Sequence, residues 1–396
     1  MDPITNPYAP GAGSPPPALV GRDELREATR IALERVRAGR SAKSVILVGL
    51  RGVGKTVLLD QMRNDAEIAG IHTMRIEAPE SRSLPAILSP QLRLALLRLS
   101  KNERARDLAR RALSGLAGFV GALRIHYDDI QVGLDMEAEP GLADNGDLEL
   151  DLPVLLESVA KAAASINTVI AIFIDELQYV KEAQLAALVT AMHLTSQRQL
   201  PVVLVGAGLP HIPGQMGKAK SYAERLFDFQ TIGPLSEDDA RIAISRPAQD
   251  EGVEFEPDAL ERIVQETHGY PYFLQEWGKH CWDLADDTPI SIEDVELASK
   301  SAIAALDESF FRVRIDRLRP TEKKYLRAMA DLGPGPHRSG DIAHELEREV
   351  QSVAPTRSSL IKKGMIWSPS HGDTAFTVPM FDEYMHRIMP GEEWRD

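Results

Sequence analysis

Apolar positions along the chain follow two alternating patterns. Leu25, Ala28, Thr29, Ala32, Leu33 and Val36 recur at helical spacing, which predicts an amphipathic helix near the start. From Ser44 onward, short apolar runs alternate with helical stretches, as do strands of a parallel sheet covered on both faces. Five strands are predicted: Ser44 to Val48, His72 to Glu77, Val169 to Ile174, Val202 to Val205, and a short one at Phe229 to Ile232. After Leu235 the strand pattern stops. Ser236 opens a helix with Asp239 three residues on, a capping-box spacing, and further helices are predicted over Pro257 to Thr267, Tyr272 to Ala285 and Ile292 to Leu318.

Pro320 opens a last section. Helices near Thr321 to Leu332, Gly340 to Arg348 and Val353 to Lys363 precede two short apolar stretches, Met365 to Trp367 and Ala375 to Val378. Three helices followed by a β-ribbon is the order of a winged helix. The expected organisation is a flexible Pro-rich arm (1–18), an α/β core with a parallel five-stranded sheet (19–235) carrying an insertion at about 84–153, a helical lid (236–318) and a winged-helix domain (319–396). The arm is assigned on its six prolines within residues 1–17. The insertion has a basic half (Arg98, Lys101, Arg104, Arg106, Arg110, Arg111) and an acidic half from Tyr127 to Pro153. That second half has nine carboxylates (Asp128, Asp129, Asp135, Glu137, Glu139, Asp144, Asp147, Glu149, Asp151) and no Lys or Arg. Its ordinary reading is a solvated face; the sharper one is repulsion of nucleic acid or attraction of a basic partner.

At 396 residues, two or three domains are expected. A formal charge of −14 argues against a protein that coats nucleic acid along its whole surface, so any such contact is local. The longest apolar stretches, Thr168 to Ile174 and Leu200 to Gly208, fall far short of the roughly 20 residues a membrane helix needs, and no membrane partner is expected. Cys281 is the single cysteine, and the N-terminal residues lack the basic and apolar regions of a secretory signal, which predicts a cytoplasmic protein. Trp277, His280, Cys281 and Trp282 read as packing on one lid helix rather than as a metal or redox site. No HxxxH pair and no GxSxG motif occur, so neither structural zinc nor a serine hydrolase is supported.

The strongest chemical signal is Gly49-Leu50-Arg51-Gly52-Val53-Gly54-Lys55-Thr56, the spacing GxxxxGK[ST], between the strand SVILV and a helical stretch beginning near Lys55. Glycines let the backbone curl so that N–H groups surround phosphate oxygens, and the following helix N-terminus adds partial positive charge. Lys55 is expected at the β and γ phosphates, and Thr56 offers its hydroxyl to Mg²⁺. The partner motif is VIAIFI followed by Asp175-Glu176. Asp175 is expected beside the metal, and Glu176 polarises a water for in-line attack on the γ-phosphate. Because that transition state spreads negative charge, a further cation is expected. Arg225, just before the last strand, is the candidate arginine finger, the alternative being a surface arginine paired with Glu224 or Asp228.

These motifs, with LVGRDEL at residues 19–25, the strand VVLVGAG, the segment SYAERLF with GPLS after it, and GYPY at 269–272, resemble the AAA+ P-loop ATPases of the archaeal-type, replication-initiator-like and signalling groups. The resemblance covers roughly Leu19 to Leu318, and the winged-helix pattern extends it to about Pro390. It implies adenine contact at Val20, Gly21 and Arg22 and action of Arg225 on a neighbouring subunit. Two departures stand out. The strand that usually ends in a polar residue ends here in Val205-Gly206-Ala207-Gly208, and the lid shows Gly269-Tyr270-Pro271-Tyr272 where initiators have a sensing arginine.

The expected function is an ATPase with ATP and Mg²⁺ as cofactors, acting as a nucleotide-dependent homo-oligomeric switch on double-stranded DNA. The DNA contact is assigned to Arg357, Lys362 and Lys363 of the recognition helix. The alternatives are a signalling or defence switch that engages a protein partner, and a nucleotide-binding scaffold with very slow hydrolysis.

Overall fold

The computed structural model describes residues 1–11, 13–132 and 137–395. The chain divides into two compact units. One comprises Arg22–Gly49 and Lys55–Ile232; the other comprises Met1–Gly21, Leu50–Gly54 and Gly233–Asp396.

The first unit is an α/β layer structure. Its strands are β1 (Ser44–Gly49), β2 (His72–Glu77), β3 (Ile170–Asp175), β4 (Val202–Gly208) and β5 (Phe227–Ile232). They form one parallel sheet in the order β2-β3-β4-β1-β5. Every residue of β1, β3 and β4 is buried, which is why these runs are continuously apolar instead of alternating. The helices are α1 (Asp23–Arg37), α2 (Lys55–Ile68), α3 (Leu84–Leu99), α4 (Arg106–Leu123), α5 (Leu148–Ala164), α6 (Glu182–Gln197), α7 (Ile212–Ala219) and α8 (Ala223–Leu226).

All five predicted strands are present. β4 runs on to Gly208, past its expected end at Val205, because its two glycines pair with β1 (Gly206 with Ile46, Gly208 with Val48). Their lack of side chains has a further cause. A Cβ on Gly206 would lie 2.4 Å from Leu177 Cδ1 and 2.9 Å from Ile46 Cδ1, and one on Gly208 would lie 3.2 Å from Gln178 Oε1. The glycines open room for the turn that follows the acidic pair of β3.

The insertion consists of α3 and α4, a loop, and the start of α5. Its acidic half is not simply a solvated face. Asp129 accepts from Ser83 N (2.7 Å) and Oγ (2.8 Å), and fully buried Asp151 accepts from Asn145 Nδ2 (2.7 Å) and Gly146 N (2.9 Å). Asp147 caps α5 through Glu149 N (2.8 Å), and Glu139 pairs with Arg111 at 2.8 Å. These carboxylates satisfy backbone donors that a long loop would otherwise leave unpaired. Asp135 lies outside the described residues.

The second unit is mostly helical, with α9 (Glu237–Asp250), α10 (Pro257–Thr267), α11 (Pro271–Leu284), α12 (Ile292–Ala305) and α13 (Arg312–Ile315), the last two joined by a π-helical turn at Leu306–Phe311. Its C-terminal module contains α14 (Pro320–Asp331), β6 (His337–Arg338), α15 (Ser339–Glu345), α16 (Val350–Lys362), β7 (Ile366–Trp367), β8 (Asp373–Phe376) and α17 (Phe381–Ile388), with an antiparallel sheet in the order β6-β8-β7. The helices and ribbon occur in the expected order, and α17 follows them. The sections expected as a separate lid and winged helix group in one unit.

The beginning of the chain departs from the flexible arm expected of it. Tyr8 is 3% exposed, its hydroxyl donates to the Ile244 carbonyl, and its ring occupies the space a Gly278 side chain would need, 2.6 Å from that Cβ position. Asn6 Nδ2 donates to Lys279 O (3.1 Å) and Asp283 Oδ1 (2.8 Å), and Trp282 Nε1 donates to Asp2 O (2.9 Å). Prolines limit the freedom of the arm, while Asn6 and Tyr8 supply the anchors that proline content conceals. Trp277 and Cys281 are fully buried, as packing requires; Trp277 Nε1 donates to Glu266 (2.8 Å) and Ser299 (3.0 Å). Among the described residues no helix is long and apolar enough to cross a membrane.

Candidate functional site

Strand order decides where chemistry collects. β1 and β3 flank β4, so their C-terminal ends bring Gly49, where the glycine-rich segment begins, and the acidic pair to the same edge of the sheet. In the α/β unit, Lys55 is 8% exposed and its Nζ donates to the Gly49 carbonyl at 2.9 Å. Thr56 Oγ1 donates to Asp175 Oδ2 at 2.6 Å. Residues on α2 and β3, 119 positions apart in sequence, therefore form one cluster. Burial pushes the Asp175 carboxyl above the usual carboxylate range, helped by the charge of Glu176 and opposed by the Thr56 hydrogen bond. A cation beside this pair would reverse that shift.

A hydroxyl and a carboxylate at hydrogen-bonding distance are hard oxygen donors, and a magnesium ion typically takes only one or two protein oxygens beside water and phosphate. The donor set fits that ion, with Thr56 and Asp175 as the residues to hold it. Among the described residues there is no group of three or more His, Cys, Asp or Glu suited to a metal, so no all-protein metal cage competes with this reading.

Glu176 adopts a left-handed backbone conformation (φ 55°), uncommon for a residue with a side chain, and its N–H donates to Asp175 Oδ1 at 2.8 Å. Gln178 was missed by the sequence reading. Its Nε2 donates to Glu176 Oε2, while its Oε1 accepts from Leu209 N (3.2 Å), just beyond the end of β4. Thus a side-chain amide from the turn after β3 lies at the end of β4. The available signal was Gly208, whose missing side chain leaves room for Gln178, a pairing that only strand order reveals.

The phosphate loop has a second set of partners. Leu50–Gly54 belongs to the helical unit. Arg51 N donates to the Thr377 carbonyl (3.2 Å), and Tyr272 N donates to the Gly52 carbonyl (3.3 Å). Gly52 has φ +83° and faces the Tyr272 side chain, with a Cβ position 3.4 Å from Tyr272 Cβ and 4.0 Å from Phe310 Cζ. Tyr272 and Phe310 stack with ring centroids 4.7 Å apart, and the Arg314 guanidinium lies over Phe310. Gly54 also has positive φ (88°), whereas Val53 is buried. The loop tip is thus bonded to the aromatic start of α11 and to the segment after β8.

The remaining sequence candidates are dispersed. Val20 is half-buried, Arg22 precedes α1, and Gly21 (φ +68°) lies against the Asp239 carboxylate at the start of α9. Arg225 ends α8 and is exposed, with no carboxylate within ion-pair distance among the described residues, so neither Glu224 nor Asp228 holds it. Of the recognition-helix residues, Arg357 is engaged internally with Thr374 Oγ1 (2.8 Å), Ser368 Oγ (2.9 Å) and Asp373 O (2.8 Å). Lys363 pairs with buried Glu322 at 2.7 Å, and Lys362 is exposed.

Residues 18–205 match the AAA ATPase domain family, and residues 308–385 match a Domain of unknown function (DUF8462). No curated protein matches the chain. Among solved structures, the Walker-type ATPase of Pyrococcus abyssi aligns at a TM-score of 0.60 and 14% identity, covering 93% of this chain and 96% of that one. That likeness concerns the fold. The Aeropyrum pernix ORC1 protein in complex with DNA aligns at 0.46 and 15% identity, covering 94% of each chain. The Thermotoga maritima RuvB Holliday junction branch migration motor aligns at 0.44 and 16%, covering 94% and 95%. GLRGVGKT after β1, IFIDE at the end of β3 and the family match together identify an AAA ATPase domain within residues 18–205 of the chain.

Proposed function

We propose that the protein is an ATP-driven switch whose nucleotide state is passed from the phosphate loop to the C-terminal module. The observation that carries this reading is the pair of loop contacts: Arg51 N–H on the Thr377 carbonyl and Gly52 O under the Tyr272 amide. A triphosphate that draws the loop amides inward changes the position of Arg51 and Gly52. The segments bonded to those residues respond, because a lost backbone hydrogen bond must be replaced.

In this reading Gly49 to Gly54 wrap the phosphates, and Lys55 exchanges its bond to the Gly49 carbonyl for phosphate oxygens. Val20, Gly21 and Arg22 meet the adenine. Thr56 and Asp175 hold Mg²⁺, which when bound neutralises charge on the β and γ phosphates. Glu176, oriented by Gln178, accepts the proton of the attacking water as the bond from the γ-phosphorus to the bridging oxygen breaks, leaving ADP and inorganic phosphate. The glycine end of β4 supports slow turnover, since Gly206 and Gly208 aim no polar side chain from that strand at the γ-phosphate.

Unpaired Arg225 supports a homo-oligomer in which it completes a neighbour's site. The expected outcome is that Arg225→Ala and Glu176→Gln are each at least ~100-fold slow in hydrolysis, while an equal mixture regains about a quarter of wild-type turnover, as random pairing of an intact finger with an intact base allows. Steady-state hydrolysis by the mixture, with light scattering to follow assembly, is the test. No recovery on mixing, with assembly intact, would remove Arg225 from that role. The C-terminal module is read as a winged helix with DNA as partner, a reading supported by its element order and weakened at the recognition helix by the internal engagement of Arg357 and Lys363.

A further inference from the structure

The end of the α3–α4 hairpin collects basic side chains, only two of which, Arg106 and Arg111, have a carboxylate within ion-pair distance among the described residues. Residues 93–111 hold seven Lys and Arg (six of them Arg) against two carboxylates, Glu103 and Asp107, in a protein of net charge −14. Two packed helices joined by residues 100–105 place the C-terminal turn of α3 and the N-terminal turn of α4 at one end. Arg98, Lys101, Arg104 and Arg110 are exposed there and have no carboxylate within ion-pair distance among the described residues. The acidic half of the same insertion behaves oppositely, since Asp129, Glu139, Asp147 and Asp151 are spent on internal donors.

We propose that this tip docks the phosphodiester backbone of duplex nucleic acid. The inference deepens the DNA reading above and moves the contact from the recognition helix, where two of three cations are internally engaged, to the insertion. Guanidinium groups bind phosphate oxygens in pairs, and a tip whose cations are mostly Arg suits them. Residues 93–111 contain no Phe, Tyr or Trp on which unpaired bases would stack, so a duplex is favoured over a single strand. Leu94, Leu97 and Leu108 are 45%, 38% and 38% exposed, so each is more than half covered and too little apolar surface projects to enter a bilayer. The contact reads charge and not sequence, and its strength falls steeply with salt.

The test is fluorescence anisotropy of a labelled 20-base-pair duplex (about two helical turns) with the full chain across a salt series, with and without MgATP. The wild-type chain is expected to bind, and an Arg98→Ala/Lys101→Ala/Arg104→Ala/Arg110→Ala variant to bind at least ~10-fold more weakly, with a log–log salt slope shallower by about 3 to 4. Lys362→Ala, at the exposed cation of the recognition helix, is expected to weaken binding far less than the tip variant does. The four side chains are exposed, so the variant's thermal melt and its MgATP calorimetry should match the wild type. The proposal is overturned if the tip variant binds duplex as tightly as wild type, if Lys362→Ala alone abolishes binding, or if vesicles of anionic lipid or polyglutamate are bound while duplex is not. Absence of ATP binding by the wild-type chain would count against the nucleotide switch and leave the duplex result to be read on its own.

Discussion

A Glu176→Gln variant is expected to bind MgATP as tightly as the wild-type chain and to hydrolyse it at least ~100-fold more slowly, the usual loss when a positioned base is removed. The geometry makes the separation of binding from turnover sharp. Glu176 follows the buried Asp175; its side chain accepts from Gln178, and only its backbone N–H donates to the Asp175 carboxylate. Glutamine keeps the size of the side chain and loses its negative charge together with the ability to accept a proton. Phosphate affinity therefore stays with the loop and Lys55. Single-turnover hydrolysis alongside calorimetric affinity checks the expectation. Turnover that is unchanged in the variant would mean that the chain holds nucleotide without using this carboxylate.

Lys55→Ala is expected to lose MgATP affinity by at least ~100-fold, about 2.7 kcal/mol at room temperature. An ammonium group only 8% exposed and bonded to a carbonyl at 2.9 Å has surrendered much of its hydration. Phosphate oxygens offer a charged partner in its place, so the side chain is poised to favour the bound state. Removing it leaves the empty fold no worse, since the burial cost disappears with the charge. The melting temperature without nucleotide should then match the wild type, while the rise on adding ATP, which follows the ratio of ligand concentration to Kd, should vanish. A variant that melts early without nucleotide would show instead that Lys55 is part of the fold.

β1, β3 and β4 were legible because strands buried on both faces are unbroken apolar runs, and the edge strand β2, with its polar positions, also begins and ends at the predicted residues. β4 was read short because Gly206 and Gly208 look like breakers; they lie within the sheet for the sake of Leu177 and Gln178. The phosphate loop and acidic pair could be read from spacing alone, since their chemistry requires neighbours in sequence. Gln178 could not, because its role depends on β3 and β4 being adjacent. Tyr8 was hidden for a similar reason. Its partners are Ile244 and Gly278, more than 230 positions away, and a proline-rich stretch gives no local sign of an anchor. The recognition-helix cations were counted correctly, but charge along a helix does not reveal which side chains turn inward to Thr374, Asp373 and Glu322.

Hydrogen exchange at Arg51, at Tyr272 and across residues 365–378, compared without nucleotide, with MgADP and with MgATP, bears most directly on coupling of the phosphate loop to the C-terminal module. MgATP is predicted to change protection of the Arg51 and Tyr272 amides and of the Met365 to Val378 segment, and the Lys55→Ala variant should show no such change. Saturation with MgATP, verified by calorimetry, that leaves exchange in all of these segments as it was without nucleotide would contradict the account.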